Sequence, residues 1–139
     1  MKIRVKKLNP NAVLPHRAHP TDAGFDIVAT SRSYEAGCYV YGTGLAFEIP
    51  EGYYAELKPR SSVSKTMLIL CNGTGTLDAD YRGEVKFKFY PIVEHPNLYA
   101  VGDRIGQLIL HKLEDYEFVE SDELSDTERG TGGFGSTGS

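Results

Sequence analysis

The sequence predicts an all-β protein, a sandwich or a barrel, on three observations. Residues 85–90 read Val-Lys-Phe-Lys-Phe-Tyr, an apolar–polar alternation of period two that gives one buried and one wet face. Turn signals recur at Glu35-Ala36-Gly37, Gly42-Thr43-Gly44, Pro50-Glu51-Gly52, Asn72-Gly73, His95-Pro96-Asn97 and Gly102-Asp103, the spacing of many short strands. No segment keeps a helical period over three turns.

Taken in order, Ile3, Val5 and Leu8 begin the pattern. Strands are then predicted over Phe25–Ala29, Cys38–Tyr41, Leu45–Ile49, Tyr53–Leu57, Met67–Leu70, Val85–Tyr90, Ile105–His111 and Glu117–Glu120, each rich in the branched and aromatic residues that fit a pleated surface. One short helix is expected over Ser61–Thr66, opened by serines able to cap it. From Glu123 the apolar alternation stops and charged, then glycine-rich, residues follow. The expected organisation is one folded domain over 1–122 and a C-terminal tail over 123–139.

Composition narrows the function. A net charge of −4 argues against general nucleic-acid binding, which wants a basic footprint. It leaves room for one anionic ligand, because a few local arginines and a divalent cation outweigh a modest global charge. No apolar run approaches ~20 residues, so no membrane span is expected. Met1 through Lys7 are not followed by an apolar stretch, so no signal peptide is expected and a cytoplasmic location is. Cys38 and Cys71, the only cysteines, are then expected as reduced thiols. His16, His19, His95 and His111 are scattered without a further ligand at metal spacing.

Five segments hold chemistry. Asp22-Ala23-Gly24-Phe25-Asp26 places two carboxylates around a glycine at a strand entry, and Pro59-Arg60-Ser61-Ser62 sets a guanidinium and hydroxyls where a short helix begins, a place suited to an anion. Asn72 through Glu84 is a glycine-punctuated hairpin in which Gly73, Gly75 and Gly83 let backbone approach a base edge. Within it Asp78 and Asp80 are candidate general bases and Tyr81 could pack on a sugar. Gln107 stands in an otherwise apolar strand, where a buried amide needs partners. Last, Arg129-Gly130-Thr131-Gly132-Gly133-Phe134-Gly135-Ser136-Thr137-Gly138 mixes a phosphate-forking arginine and a stacking ring with glycines, the make-up of a nucleotide lid. Gly130 to Gly135 also satisfies G-x-G-x-x-G, but a Rossmann loop needs a strand before it and a helix after it, and no helix is expected in the four residues after Gly135.

In order and spacing these five segments closely resemble the five motifs of the trimeric dUTP pyrophosphatases, the dUTPases, across residues 22 to 138. The resemblance implies a jelly-roll-like β-barrel of the β-clip type, assembled as a homotrimer with active sites shared between subunits. One subunit would give the first, second and fourth motifs, another the hairpin, and a third its mobile tail. It implies hydrolysis of dUTP to dUMP and pyrophosphate, Mg²⁺-assisted, which keeps uracil out of DNA and supplies dUMP for thymidylate synthesis. By position, Asp78 resembles the general base that orients a water for attack on the α-phosphorus, and Tyr81 the residue packed on the deoxyribose. Asn72, with the hairpin backbone at Gly75, is similar in place to the uracil reader. Arg60, Ser61, Ser62 and Gln107 match phosphate-binding positions, and Asp26 the aspartate that meets the metal through water, the metal itself being held mainly by the triphosphate. Phe134 looks like the ring that stacks over uracil, while Arg129, Gly135, Ser136 and Thr137 match tail contacts.

Three departures stand out: Ser62 where many members have glycine, Leu77 for a frequent isoleucine, and Gly106 for a frequent alanine. Two rivals share the fold. A dCTP deaminase would need a glutamate beside the base, where this chain has the aspartate-to-tyrosine hairpin. A non-catalytic nucleotide sensor or protein-binding member would not need a competent side chain at every catalytic position.

Overall fold

The computed structural model describes residues 1–138. The strands are β1 (Arg4–Lys7), β2 (Phe25–Val28), β3 (Ser31–Glu35), β4 (Cys38–Gly42), β5 (Leu45–Glu48), β6 (Tyr53–Lys58), β7 (Leu68–Leu70), β8 (Gly75–Leu77), β9 (Lys86–Pro91) and β10 (Arg104–Lys112), with one 3-10 turn at Ser61–Lys65. They form a two-stranded sheet β1-β5 and two four-stranded sheets, β2-β10-β6-β8 and β3-β4-β9-β7. All pairings are antiparallel, so the predicted all-β barrel is what the chain forms.

The core follows from the alternation. On β9, Phe87 and Phe89 are buried while Lys86, Lys88 and Tyr90 are exposed. Phe89 meets Tyr41 edge-on at 5.8 Å and Tyr99 at 5.9 Å, and Ile27, Leu45 and Ile105 close the same cluster. The two buried polar groups near it are satisfied: Tyr41 donates to the Tyr99 carbonyl at 2.9 Å, and Thr43 Oγ1 to the Val85 carbonyl at 2.6 Å. Burial holds the Tyr41 phenol above its usual range, because the ionised form would lose its hydration.

Gly106 is glycine here for a packing reason. A Cβ on it would fall well inside van der Waals contact with the Phe87 ring, which is 1% exposed and cannot swing away. The small residue on β10 and the large one on β9 are therefore matched. Gly106→Ala is expected to destabilise the protein by about 1–3 kcal/mol, the usual cost of overpacking, read as a lower urea midpoint at fixed protein concentration. Gly106→Ala combined with Phe87→Leu should recover part of it.

Several expectations are corrected. Glu117–Glu120 is not a strand: Phe118 and Val119 are 92% and 77% exposed, and among the described residues no other strand pairs with them to take up their backbone groups. Met67 is not the first residue of a strand but sits at φ 58°, and β7 starts at Leu68. The serines do not cap the short helix. Arg60 occupies the capping position with no side-chain bond, and Ser64 Oγ instead donates back to the Ser61 carbonyl at 3.0 Å. β3 and β8 were not expected at all.

Candidate active site

The central strand β10 explains how distant motifs meet. Gln107 pairs with Asp26 on β2 and with Lys58 on β6, so the glutamine, the first-motif aspartate and the segment leading to Arg60 share one neighbourhood. Arg104 joins them through a bulge. It pairs with Val28, Gly106 with Ile27 and Gln107 with Asp26. In a regular strand residues 104 and 107 would face opposite sides, but the extra residue at Ile105 puts both on the Asp26 side.

Asp26 is gripped by two guanidiniums. Arg60 Nε donates to Oδ1 at 2.9 Å, and Arg104 Nη1 to Oδ2 at 3.2 Å. The Arg60 Nη1 also reaches Ser62 Oγ and the Arg104 carbonyl, both at 3.4 Å. Its five N–H groups thus leave the Nη2 pair without a partner among the described residues. Gln107 donates through Nε2 to the Pro59 carbonyl at 3.1 Å, and its other end fills the space over Gly24, where a Cβ would strike Oε1. Asp22, Asp26, Arg60, Ser61, Arg104 and Gln107 line a polar cleft of about 310 Å³. Its two arginines are balanced by its two aspartates, and the Arg60 Nη2, unpartnered among the described residues, is what it offers an anion.

Ser62 has a structural partner that sequence reasoning missed. Its hydroxyl lies 3.1 Å from Tyr99 Oη, and the Tyr99 carbonyl takes Arg32 Nη1 at 2.9 Å. The bulk added at this position is therefore tied back toward the core. Tyr99→Phe should keep the barrel intact yet loosen the Arg60–Ser62 segment, raising KM for the anionic ligand several-fold with a smaller effect on kcat; steady-state kinetics separate the two.

The hairpin residues form a second cleft of about 440 Å³, lined by Asn72, Gly75, Asp78, Tyr81, Lys86 and Lys88. β8 pairs with β6 through Leu57↔Gly75 and Ala55↔Leu77, and Asp78 emerges directly beyond its end, exposed. The Tyr81 hydroxyl donates to the Glu84 carbonyl at 3.2 Å, which fixes a ring that is still 48% exposed. Asp80 does not line this cleft; it faces the grooves beside Glu51 and Tyr116.

No residue lines both clefts. They sit toward opposite edges of the β2-β10-β6-β8 sheet, so one chain does not bring Asp78 against Arg60. The tail joins neither. The hydrogen bonds of Arg129, Gly130, Ser136 and Gly138 run within the tail, and Phe134 is fully exposed at φ 51°. Gly135 and Thr137 are exposed as well, and Ser139, the last residue of the predicted tail segment, lies outside the described residues.

Among the described residues no group of three or more His, Cys, Asp or Glu side chains could hold a metal ion. The Asp26 carboxylate has both oxygens engaged by arginine, yet each keeps a further lone pair. That donor set fits a hydrated cation met through water, not one bound directly. No helix among the described residues is long and apolar enough to cross a membrane.

Comparison with known proteins gives one family. A family model described as dUTPase matches residues 10–138. The deoxyuridine 5'-triphosphate nucleotidohydrolase of Hydrogenobaculum sp. is 40% identical over 144 residues, covering 99% of both chains. That of Solanum lycopersicum is 43% identical over 137 residues, covering 97% of this chain and 80% of that one. Among solved structures, a Staphylococcus bacteriophage 80alpha dUTPase variant with dUpNHpp aligns with a TM-score of 0.81 at 31% identity over 99% of each chain. A variant dUTPase of phage phi11 of S. aureus, described with a structural Mg(II) ion, aligns with a TM-score of 0.74 at 28% identity, covering 88% of this chain and 98% of that one.

Proposed function

The chain belongs to the dUTPase family, and on that premise we propose that it hydrolyses dUTP to dUMP and pyrophosphate at a site shared between subunits. One observation carries the reading beyond the family match. The phosphate-suited cleft at Arg60 and the carboxylate-bearing hairpin at Asp78 are complementary halves that a single chain holds apart. A homotrimer that sets one subunit's first cleft against another's hairpin completes the site, and the third subunit's tail over 123–139 closes it over the barrel formed by 1–122.

In that arrangement the free Nη2 of Arg60, the Ser61 hydroxyl and Gln107 take the phosphate oxygens, with Ser62 supporting Arg60. Asn72 and the backbone at Gly75 read the uracil edge. A site paired to uracil leaves buried groups unmatched with cytosine, at about 1–3 kcal/mol each. Tyr81 packs on the deoxyribose and crowds a 2′-hydroxyl. Asp78 accepts a proton from a water aimed at the α-phosphorus as the pyrophosphate oxygen departs in line. Bound Mg²⁺ would neutralise charge on the triphosphate, with Asp26 contacting its water shell. From the tail, Phe134 stacks on the base, and Arg129, Gly135, Ser136 and Thr137 contact the phosphates and exclude solvent. We read the enzyme as cytoplasmic, a location that fits a substrate drawn from a nucleotide pool.

The test is pyrophosphate release from dUTP, dCTP, dTTP and UTP, each with Mg²⁺ and with chelator. Mg²⁺-stimulated release from dUTP alone is expected. Release from none of the four would move this chain to nucleotide sensing, and ammonia from dCTP would move it to deamination.

A further inference from the structure

Cys38 and Cys71 stand outside every role assigned above, yet their sulfurs lie 3.3 Å apart. They come from separate strands. Cys38 opens β4 and Cys71 directly follows β7, and both strands flank β9. Tyr39 and Leu70 each pair with Phe89, which faces the core, so the cysteines one position away point to the outer face of the sheet. Both thiols are free; Cys71 is exposed and Cys38 half-buried. A disulfide forms at about 2.05 Å with its Cα atoms within about 7 Å. β9 lies between the two strands, which puts them two spacings of ~4.8 Å apart, so bridging requires the Cys71 segment beyond β7 to shift toward Cys38 as the sulfurs close.

We propose that Cys38 and Cys71 form a thiol modification site: a redox-active pair that takes a small disulfide oxidant such as oxidised glutathione and closes to an intramolecular bridge across β9. The chemistry balances in two exchanges. The Cys71 thiolate attacks one sulfur of the oxidant, forming a mixed disulfide and expelling one glutathione thiolate. Cys38 then gives its proton to solvent and attacks the Cys71 sulfur, expelling the second glutathione. Two protein thiols lose two protons and two electrons, and one oxidised glutathione becomes two reduced ones.

The surroundings set the tempo. Desolvation, then the neighbouring Cys38 thiol, pushes Cys71 up to about 11, so little thiolate exists at neutral pH and bridging is slow there. The same property makes Cys71 the poorer leaving group, so attack at the Cys38 sulfur, which would expel Cys71, is the slower route of reduction. Cys71 also roots the hairpin: its N–H donates to the Lys88 carbonyl at 2.8 Å, and Gly73 N–H to the Leu70 carbonyl at 2.9 Å. A bridge at Cys71 would displace the adjoining Asn72, a consequence that rests on the proposed reading of Asn72 as the uracil contact.

The experiment incubates the intact protein with oxidised glutathione at pH 8.5 (about the pKa of a free cysteine) and follows intact mass and free thiols. The expected product has lost two hydrogens and carries no adduct, both thiols disappear together, and dithiothreitol restores them. Cys38→Ser should instead hold one glutathione on Cys71. Glutathione adducts on the wild-type protein, or two persisting thiols, would overturn the proposal. For the coupling to Asn72, the bridged protein should show a several-fold higher KM for dUTP with kcat little changed, while Cys38→Ser given the same treatment and then dithiothreitol shows wild-type kinetics. An unchanged KM in the bridged protein would leave the bridge standing and remove its link to base reading.

Discussion

Asp78→Asn is expected to lower kcat for dUTP hydrolysis by about 10²–10⁴-fold, the range a positioned general base contributes, with little change in the affinity for a non-hydrolysable dUTP analogue. The amide keeps the shape of the carboxylate and loses its capacity to take a proton from water. Little else should change. Asp78 is exposed beyond the end of β8, and among the described residues its side chain has no hydrogen-bond or ion-pair partner in its own chain whose loss would unsettle the hairpin. Asp80→Asn supplies the control, because Asp80 shares the groove beside Tyr116 with Asp78 but does not line the hairpin cleft, and it should retain near wild-type turnover. Loss of activity in Asp80→Asn with activity kept in Asp78→Asn would reverse the assignment. Isothermal titration with the analogue, beside the kinetics, separates a missing base from a missing substrate.

Most of the fold was legible because burial here follows the strand period. Val85 through Tyr90 alternates in sequence and in exposure alike, and the strand pattern predicted over Phe25–Ala29, Leu45–Ile49, Tyr53–Leu57 and Ile105–His111 lands within a residue or so of β2, β5, β6 and β10. The misses share a cause. All of β3, Ser31–Glu35, is exposed, so it pairs with β4 at a sheet edge through its backbone and leaves no apolar period to read. β8 is three residues inside a glycine-rich hairpin, recognisable only from its pairing with β6. The reverse error at Glu117–Glu120 has the same root. Phe118 and Val119 have the propensity for a strand, but propensity becomes structure only where a neighbouring strand or a core accepts it.

The candidate site was legible as a list and illegible as an arrangement. Asp26, Arg60 and Gln107 could be named from their segments, and the structure brings them together around β10. Arg104 could not be, although it lies in the Gly102-Asp103-Arg104 turn, because a period of two counted from Gln107 selects Ile105 and passes over it. Only the bulge returns Arg104 to the Asp26 side. Tyr99 was hidden for another reason. Its hydroxyl meets Ser62 from a loop 37 residues away in sequence, which Asn97 ties to the Lys65 and Thr66 carbonyls, and its apolar neighbours mark it simply as core. Local pattern thus recovers side chains that act where their own segment turns, and misses those delivered by an irregular ladder or by a loop distant in sequence.

Truncation after Asp126 is expected to lower kcat/KM for dUTP by about 10²-fold or more, as loss of a closing element and its positioning contacts does, while the urea midpoint of the barrel stays where it was. The second half of that expectation follows from the geometry. Residues 127–131 and 134–138 are exposed, and the tail's hydrogen bonds begin and end within the tail, so its removal takes nothing from the core. The first half follows from the ring. A phenylalanine fully exposed at φ 51° gains nothing in its own chain, and a base presented by a neighbouring subunit's cleft would offer it a face worth about 1–3 kcal/mol. Phe134→Ala alone should therefore cost about 5- to 150-fold in kcat/KM by that same stacking energy, less than truncation, which also removes Arg129, Ser136 and Thr137. Mixing the truncated chain with an Asp78→Asn chain tests whether the tail acts in trans to the hairpin. Each chain lacks a different part, and a mixed trimer can place an intact hairpin and an intact tail at one site. Recovery of turnover on mixing is expected when the tail and the hairpin at one site come from different subunits, whereas activity no greater than the sum of the two variants would return the tail to the subunit that gives the hairpin.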